Sequence, residues 1–231
     1  MTIKVKVSAI VSAYFAADYL AGRLENLMEQ DPQPEIIVIC QTDSMEFHIA
    51  SNHAGVKIIT TPDIPTIYAA WNLGIEAASG EYITNANCDD RLFPGTLAKM
   101  AAILDGKPAY ALVYGNQDIV SEIGGDPTGK FEWAEGGIEE LLKGCFCGPM
   151  PMWRKSLHAK HGYFDPEMQV AGDYEFWLRI TKAGERLYHI KDTVGSYLSI
   201  RTSAEKRQRN LTSWETARAR ARYRKGIGIW Q

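Results

Sequence analysis

The chain has 231 residues, 45% hydrophobic and 23% charged, enough to build the core of one sizeable domain, alone or with a small appendage. Its formal net charge of −3 gives no overall reason to expect a nucleic-acid partner. The four cysteines, Cys40, Cys88, Cys145 and Cys147, form no CxxC pair and no His/Cys cluster with zinc spacing, so buried free thiols in a reducing compartment are expected rather than a metal site.

The opening stretch, MTIKVKVSAIVSAYFAA, lacks a basic segment followed by a long apolar block and a cleavage site. No apolar run is long enough to span a bilayer. The expectation is a cytoplasmic protein, with contact at the inner face of a membrane left open.

KVSAIVSAY (6–14) is β-branched and apolar and reads as a buried strand. LAGRLENLMEQ (20–30) puts Leu20, Leu24, Leu27 and Met28 on one helical face. DPQP breaks the chain before a second strand, EIIVICQTD (35–43), and VKIITT (56–61) is a third. IYAAWNLGIEAAS (67–79) is a helix, with Gly80 suited to the position just past its end. EYITNAN (81–87) is a fourth strand, and Pro94 can open the helix that follows. This alternation predicts an α/β fold with a mostly parallel sheet flanked by helices.

The second half is less regular. YALVYGNQDIV (110–120) reads as a strand and the Gly-rich stretch 123–137 as a loop. MPMWRKSLHAKHGYFDP (150–166) holds a short strand or turn and a short helix. DYEFWLRITKAG (173–184) is a helix with Phe176, Trp177 and Ile180 inward, and ERLYHI and VGSYLSI are two further strand candidates. Residues 203–225 form a basic C-terminal helix.

Ligands of such sheets bind at the carboxyl ends of the strands. Three polar groups fall there: Ser12 to Tyr14, Gln41 to Ser44, and Asn87 to Asp90. The adjacent aspartates in GEYITNANCDDRLFPG would repel one another unless a cation compensates them, although a polar turn before a helix also favours Asp.

The motifs, in their order, resemble a family 2 glycosyltransferase of the GT-A fold over roughly residues 5–200. VSAIVSAYFAADYLAGRLENLMEQ is similar to the opening strand, aromatic turn and first helix, and EIIVICQTDS to the second strand that holds the nucleobase. AAWNLGIEAASGEYITNANCDD is similar to the helix and strand leading to the DXD-type metal motif. HGYFDPEMQVAGDYEFWLRI is similar to the acceptor-side loop and the helix carrying the general base. The resemblance implies a GT-A domain over 1–202, nucleotide-binding to about residue 105 and acceptor-binding beyond it, with a basic helix and tail over 203–231.

It also implies an inverting transfer of a sugar from a UDP- or GDP-sugar to a hydroxyl of a glycan or lipid-linked glycan, the reaction of a hexosyl- or related glycosyltransferase of polysaccharide biosynthesis. Mn²⁺ or Mg²⁺ on hard oxygen ligands would stabilise the diphosphate leaving group. Asp90 is then the metal ligand, with Asp89 at the metal, ribose or donor sugar. Asp173 is the general base, its alternative role an N-cap, and Glu175 the fallback. Ser12, Tyr14, Gln41, Asp43, Asn72, Arg154 and Arg201 are the further donor-binding candidates, and Trp71 reads as packing.

Three positions depart from the family pattern: Asn87 and Gln41 stand where Asp is common, and Gly172 where an acidic residue usually precedes the base. They keep open a silent nucleotide- or glycan-binding relative. A sugar nucleotidyltransferase ranks lower, because the turn SAYFAADY has no glycine. The arginine-rich C-terminal helix reads first as a solvated face and second as a contact for anionic lipid.

Overall fold

The computed structural model describes residues 6–199 and 209–224. Strand β1 (Val7–Ala13) lies between β2 (Glu35–Gln41) and β4 (Tyr82–Asn85), parallel to both, and β3 (Lys57–Thr61) adds parallel to β2. The short β8 (Met152–Arg154) runs antiparallel between β4 and the long β6 (Tyr110–Val120). Strand β9 (Arg186–Leu198) is parallel to β6 and closes the far side with β5 (Arg91–Leu92). The first half is thus a parallel sheet, and antiparallel pairings make the nine-stranded whole mixed.

Side-chain alternation along the strands feeds two cores. Ile10, Ile37 and Ile39 face one side, Ala9, Val11, Ile36 and Val38 the other. Helices α1 (Ala17–Met28) and α4 (Thr96–Gly106) cover the second side through Leu20, Leu24, Leu27, Leu97, Met100 and Leu104. Each such burial contributes about 1.5–3 kcal/mol. The first side is covered by α3 (Ile67–Ala77), α5 (Ile138–Leu141), α6 (Ser156–His161) and α7 (Gly172–Lys182). Trp71 is packed there, as are Phe176, Trp177 and Ile180. The short helix α2 (Met45–Ser51) joins β2 to β3.

Four local readings change. The expected loop 123–137 contains a strand, β7 (Pro127–Phe131), antiparallel to β6. Its residues are nearly all exposed, so no apolar alternation marked it. The two C-terminal strand candidates are one strand, β9, with register irregularities where it follows β6 past Gly115–Gln117. Helix α4 is capped by Gly95 at φ 75°, so Pro94 precedes it rather than opening it. Gly80 is required by crowding, not by a helix end: a Cβ there would stand 2.7 Å from the Ser8 backbone nitrogen.

Helix α8 (Arg209–Arg224) packs along α7. Arg220 donates to the Tyr174 hydroxyl at 3.0 Å and to the Lys143 carbonyl at 2.9 Å, and the Tyr223 hydroxyl donates to Glu175 at 2.5 Å. Two of its arginines, 220 and 222, are therefore engaged by the domain. Residues 203–208 and 225–231, which complete the expected helix and tail, lie outside the described residues. Among those described, Cys40, Cys88 and Cys147 are buried free thiols and Cys145 is exposed.

His158 makes a test of this packing. It accepts a hydrogen bond from Trp153 Nε1 at 2.8 Å and stacks on Phe176 and Tyr163. Burial pushes its pKa down to about 4. The unfolded chain therefore binds a proton here before the folded one does, so the His158 contribution is full above pH 6.5 and is lost between 6.5 and about 4. The full loss is about 3 kcal/mol. Asp90, whose pKa is raised, contributes with the opposite sign, so the measurable quantity is a difference. Urea midpoints of the wild type should fall more steeply from pH 7 to 5 than those of His158→Gln; parallel profiles would remove the buried neutral histidine.

Candidate active site

Because β1, β2 and β4 are parallel, their carboxyl ends open on one side. The end of β1 carries Ser12, Tyr14 and Phe15. Tyr14 is half-buried, its hydroxyl 2.8 Å from Thr61 Oγ1, while the Ser12 carbonyl accepts from Cys88 Sγ at 3.7 Å. Phe15 is 88% exposed and sits at φ 55°, a region that bulky residues rarely occupy. At the end of β2, Gln41 Nε2 donates to the Pro62 carbonyl at 3.2 Å, and the exposed Asp43 also adopts a positive φ, 56°.

The end of β4 leads into the paired aspartates. Asp90 is buried, its Oδ2 accepting from Asn87 Nδ2 at 3.1 Å and its Oδ1 from the Leu198 amide at 3.3 Å. Asp89 is only half-buried and is the more accessible carboxylate. An aspartate at 87 would add a third carboxylate to Asp89 and Asp90; the amide donates a hydrogen bond instead, which gives the departure a physical reason.

Two arginines sit behind the pair. Arg23 of α1 is fully buried and donates through Nη1 to Asn26 Oδ1 at 2.9 Å and to the Asp90 carbonyl at 3.1 Å. Arg91 donates to the carbonyls of Cys88 at 2.8 Å and Asp90 at 2.7 Å. Burial holds both aspartates above the usual carboxylate range, and the Asp89 charge raises Asp90 further, while Arg23 pulls both back. Burial in turn lowers Arg23 to about 10, opposed by the Asp90 charge.

Asp173 lies in the first turn of α7. Ala171 is the N-cap, so Asp173 does not cap the helix. Its Oδ1 accepts from the Tyr68 hydroxyl at 2.9 Å. Tyr68 is in the first turn of α3, which starts past the carboxyl end of β3, so Asp173 stands on the same side of the sheet as the aspartate pair. Burial and the Asp173 charge keep the Tyr68 phenol protonated well above its ordinary pKa. The same ring explains Gly172: a Cβ there would lie 2.6 Å from Tyr68 Cδ2. The tyrosine fills the space an acidic side chain would need.

Three candidates stand away from this arrangement. Asn72 spends both ends of its amide on Phe164, donating to the carbonyl at 2.9 Å and accepting from the N–H at 3.1 Å, so it ties α3 to the loop before α7. Arg154 pairs with Tyr82, at the amino end of β4, and donates to the carbonyls of Tyr110 and Leu104. It is therefore at the opposite end of the strands from the aspartate pair, at roughly 3.3 Å per strand residue. Glu175, the fallback base, is buried and bonded to Arg179 at 2.6 Å and to Tyr223, which leaves it structural. Arg201 lies outside the described residues.

Sequence reasoning missed Phe15, Tyr68 and Arg23. Arg23 left a signal: it follows Leu20 by three positions, on the apolar face of α1. Tyr68 left none, since its partner is 105 positions away.

Two carboxylates at a strand end suit a hard divalent cation, which commonly takes one or two carboxylates plus substrate phosphate. Asp89 could ligate as it stands. Asp90 keeps a lone pair on each oxygen beside its two hydrogen bonds, but at 1% exposure it would have to be uncovered to ligate directly. Among the described residues no group of three or more His, Cys, Asp or Glu side chains converges on a metal position.

Residues 8–161 match the family described as Glycosyl transferase family 2. The chain belongs to that family. This glycosyltransferase is 28% identical over 199 residues to the uncharacterized glycosyltransferase YwdF of Bacillus subtilis, spanning 77% of this chain and 68% of that protein. It is 27% identical over 138 residues to a PGL/p-HBAD biosynthesis glycosyltransferase of Mycobacterium tuberculosis, covering 57% of this chain and half of that one. In fold it is similar to Staphylococcus aureus TarS 1–349 in complex with UDP-GlcNAc, with a TM-score of 0.77 at 17% identity over 98% of this chain and 68% of that chain. A Pyrobaculum calidifontis mannosyltransferase in complex with GDP-Man and Mn²⁺ has a TM-score of 0.67 at 18% identity, over 96% of this glycosyltransferase and 62% of that chain. The fold is therefore GT-A, and no helix among the described residues is long and apolar enough to cross a membrane.

Proposed function

We propose that this glycosyltransferase transfers a sugar from a nucleotide donor to an acceptor hydroxyl with inversion, and that Asp173 is the general base. The observation that carries this reading is the common placement of Asp89–Asp90 and Asp173 at the carboxyl side of the sheet. The donor diphosphate would lie against the ends of β1, β2 and β4, with Phe15, Tyr14, Gln41 and Asp43 around the nucleoside. Asp89, with Asp90 behind it, would hold Mn²⁺ or Mg²⁺, which when bound neutralises charge on the departing diphosphate. Asp173 takes the acceptor proton as the hydroxyl attacks the anomeric carbon; the carbon–phosphate-oxygen bond breaks and the nucleoside diphosphate leaves. The bound donors of the two structural relatives support a UDP- or GDP-sugar. The acceptor proposed with it is a glycan or lipid-linked glycan.

A thermal-shift panel tests the donor site. UDP or GDP with Mn²⁺ at about 100 times Kd should add about 2.7 kcal/mol, which for a chain of this size raises Tm by about 5–10 °C. The expected result is a shift that depends on the metal. No shift with any nucleoside diphosphate, with Mn²⁺ or Mg²⁺, would overturn the placement of the donor.

A further inference from the structure

Helix α8 reaches the loop in front of Asp173 through one buried carboxylate. Glu215 is 3% exposed. Its Oε1 accepts from the amide of Gln169, and its Oε2 from the amides of Val170 and Ala171, each at 2.9 Å. Three consecutive N–H groups thus converge on one side chain 44 to 46 positions further along the chain. Hydrogen bonds to a charged acceptor are the strong ones, roughly twice the neutral kind. Ala171, the N-cap of α7, offers no capping side chain, so the entry to the helix is held from another element. The negative charge also lies at the amino end of α7, where the helix dipole favours it. Upstream, the same loop is held by the Asn72 amide on Phe164, by Arg179 on the Tyr163 carbonyl at 3.0 Å, by Thr66 Oγ1, which donates to the Pro166 carbonyl at 2.7 Å, and by turns around Asp165. From residue 169 to the start of α7 the three side-chain bonds to the backbone come from Glu215.

We propose that Glu215 is a positioning residue for Asp173: by fixing residues 169–171 it sets where the first turn of α7 begins and hence where the Asp173 carboxylate points. This rests on Asp173 being the base. Tyr68 orients the carboxylate at its tip, and Glu215 fixes the backbone that carries it. The basic C-terminal helix thereby belongs to the acceptor half of the site.

The Glu215→Gln variant tests this. An amide can accept from one side only, so its NH2 must face at least one of the three N–H groups. Misplacement of a catalytic group by about 1 Å can cost about 100-fold, so kcat should fall 10- to 100-fold. KM for the donor and the nucleotide-induced Tm shift should stay within twofold of wild type. Tyr223→Phe is the matched control: it removes the bond to Glu175 on the same α7–α8 contact without touching residues 169–171, and kcat should hold. Glu215→Gln with near-normal kcat, or Tyr223→Phe losing kcat equally, overturns the proposal. Asp173→Asn separates the two levels: if it retains turnover, the base assignment fails; if it is inactive while Glu215→Gln is fully active, only the Glu215 role fails.

Discussion

Replacing Asp173 by Asn is expected to cut sugar transfer by about 10²- to 10⁴-fold, the usual worth of a general base. The substitution is nearly isosteric, and the amide oxygen can still accept from Tyr68. Local geometry should therefore survive, and the loss should fall on kcat. Nucleotide binding, proposed at the ends of β1, β2 and β4, should not change. The check is a pair of measurements on one protein sample: transfer rate at saturating donor, and the Tm shift with nucleoside diphosphate and Mn²⁺. Turnover within tenfold of wild type would move the base elsewhere. Loss of the thermal shift together with activity would mean that Asp173 serves the donor site instead.

The second large effect is expected at Arg23. Its guanidinium is fully buried and its Nε and Nη2 have no hydrogen-bond partner among the described residues; burial, and after it the Arg91 charge, count against it, while the charges of Asp90 and Asp89 favour it. Swapping such a cation for an apolar side chain can be neutral when its partner charge goes too. Here the partners remain. Arg23→Met leaves Asp89 and Asp90 with Arg91 as the nearby cation, and an uncompensated buried charge costs about 3–5 kcal/mol. Asp90 can escape that cost by taking a proton, so the effect depends on pH. Its folded pKa is already raised and rises further without Arg23. A raised carboxylate pKa removes stability as pH climbs through it. The variant should therefore lose about 3 kcal/mol at pH 8 and about 1 kcal/mol less at pH 6, since one proton on a group of pKa about 7 can change the difference by about 1.4 kcal/mol over that range. Urea unfolding at both values decides it: an equal loss at the two pH values would mean that Arg23 acts through packing alone.

The parallel strand ends of the first half were readable because their signals are local. The ends of β1, β2 and β4 are each named by an apolar run that stops at polar residues, and the parallel order brings them together. What could not be read depends on partners far along the chain. Strand β7 has no apolar face and exists through its backbone pairing to β6. Asn72 and Arg154 look like ligand-binding polar residues in an apolar context, yet both are consumed by backbone carbonyls that only the fold supplies. Glu215 reads as one acid in an arginine-rich helix, and only the packing of α8 against α7 turns it toward residues 169–171. The metal and base assignments carry over from the resemblance, and the geometry around them adds Tyr68 and Arg23, which spacing gave no reason to pair with Asp173 or Asp90.

The contact between Tyr68 and Gly172 also bears on how this sequence can change. A side chain at 172 alone would drive into the tyrosine ring. A smaller residue at 68 alone would open a hole beside Asp173 and strip its carboxylate of the hydroxyl it accepts from. Each single step is penalised in the presence of the other native residue, so the two positions are epistatic. An acidic residue at 172 would need a change at 68 with it, and mutational scans that vary one site at a time are expected to score both positions as intolerant.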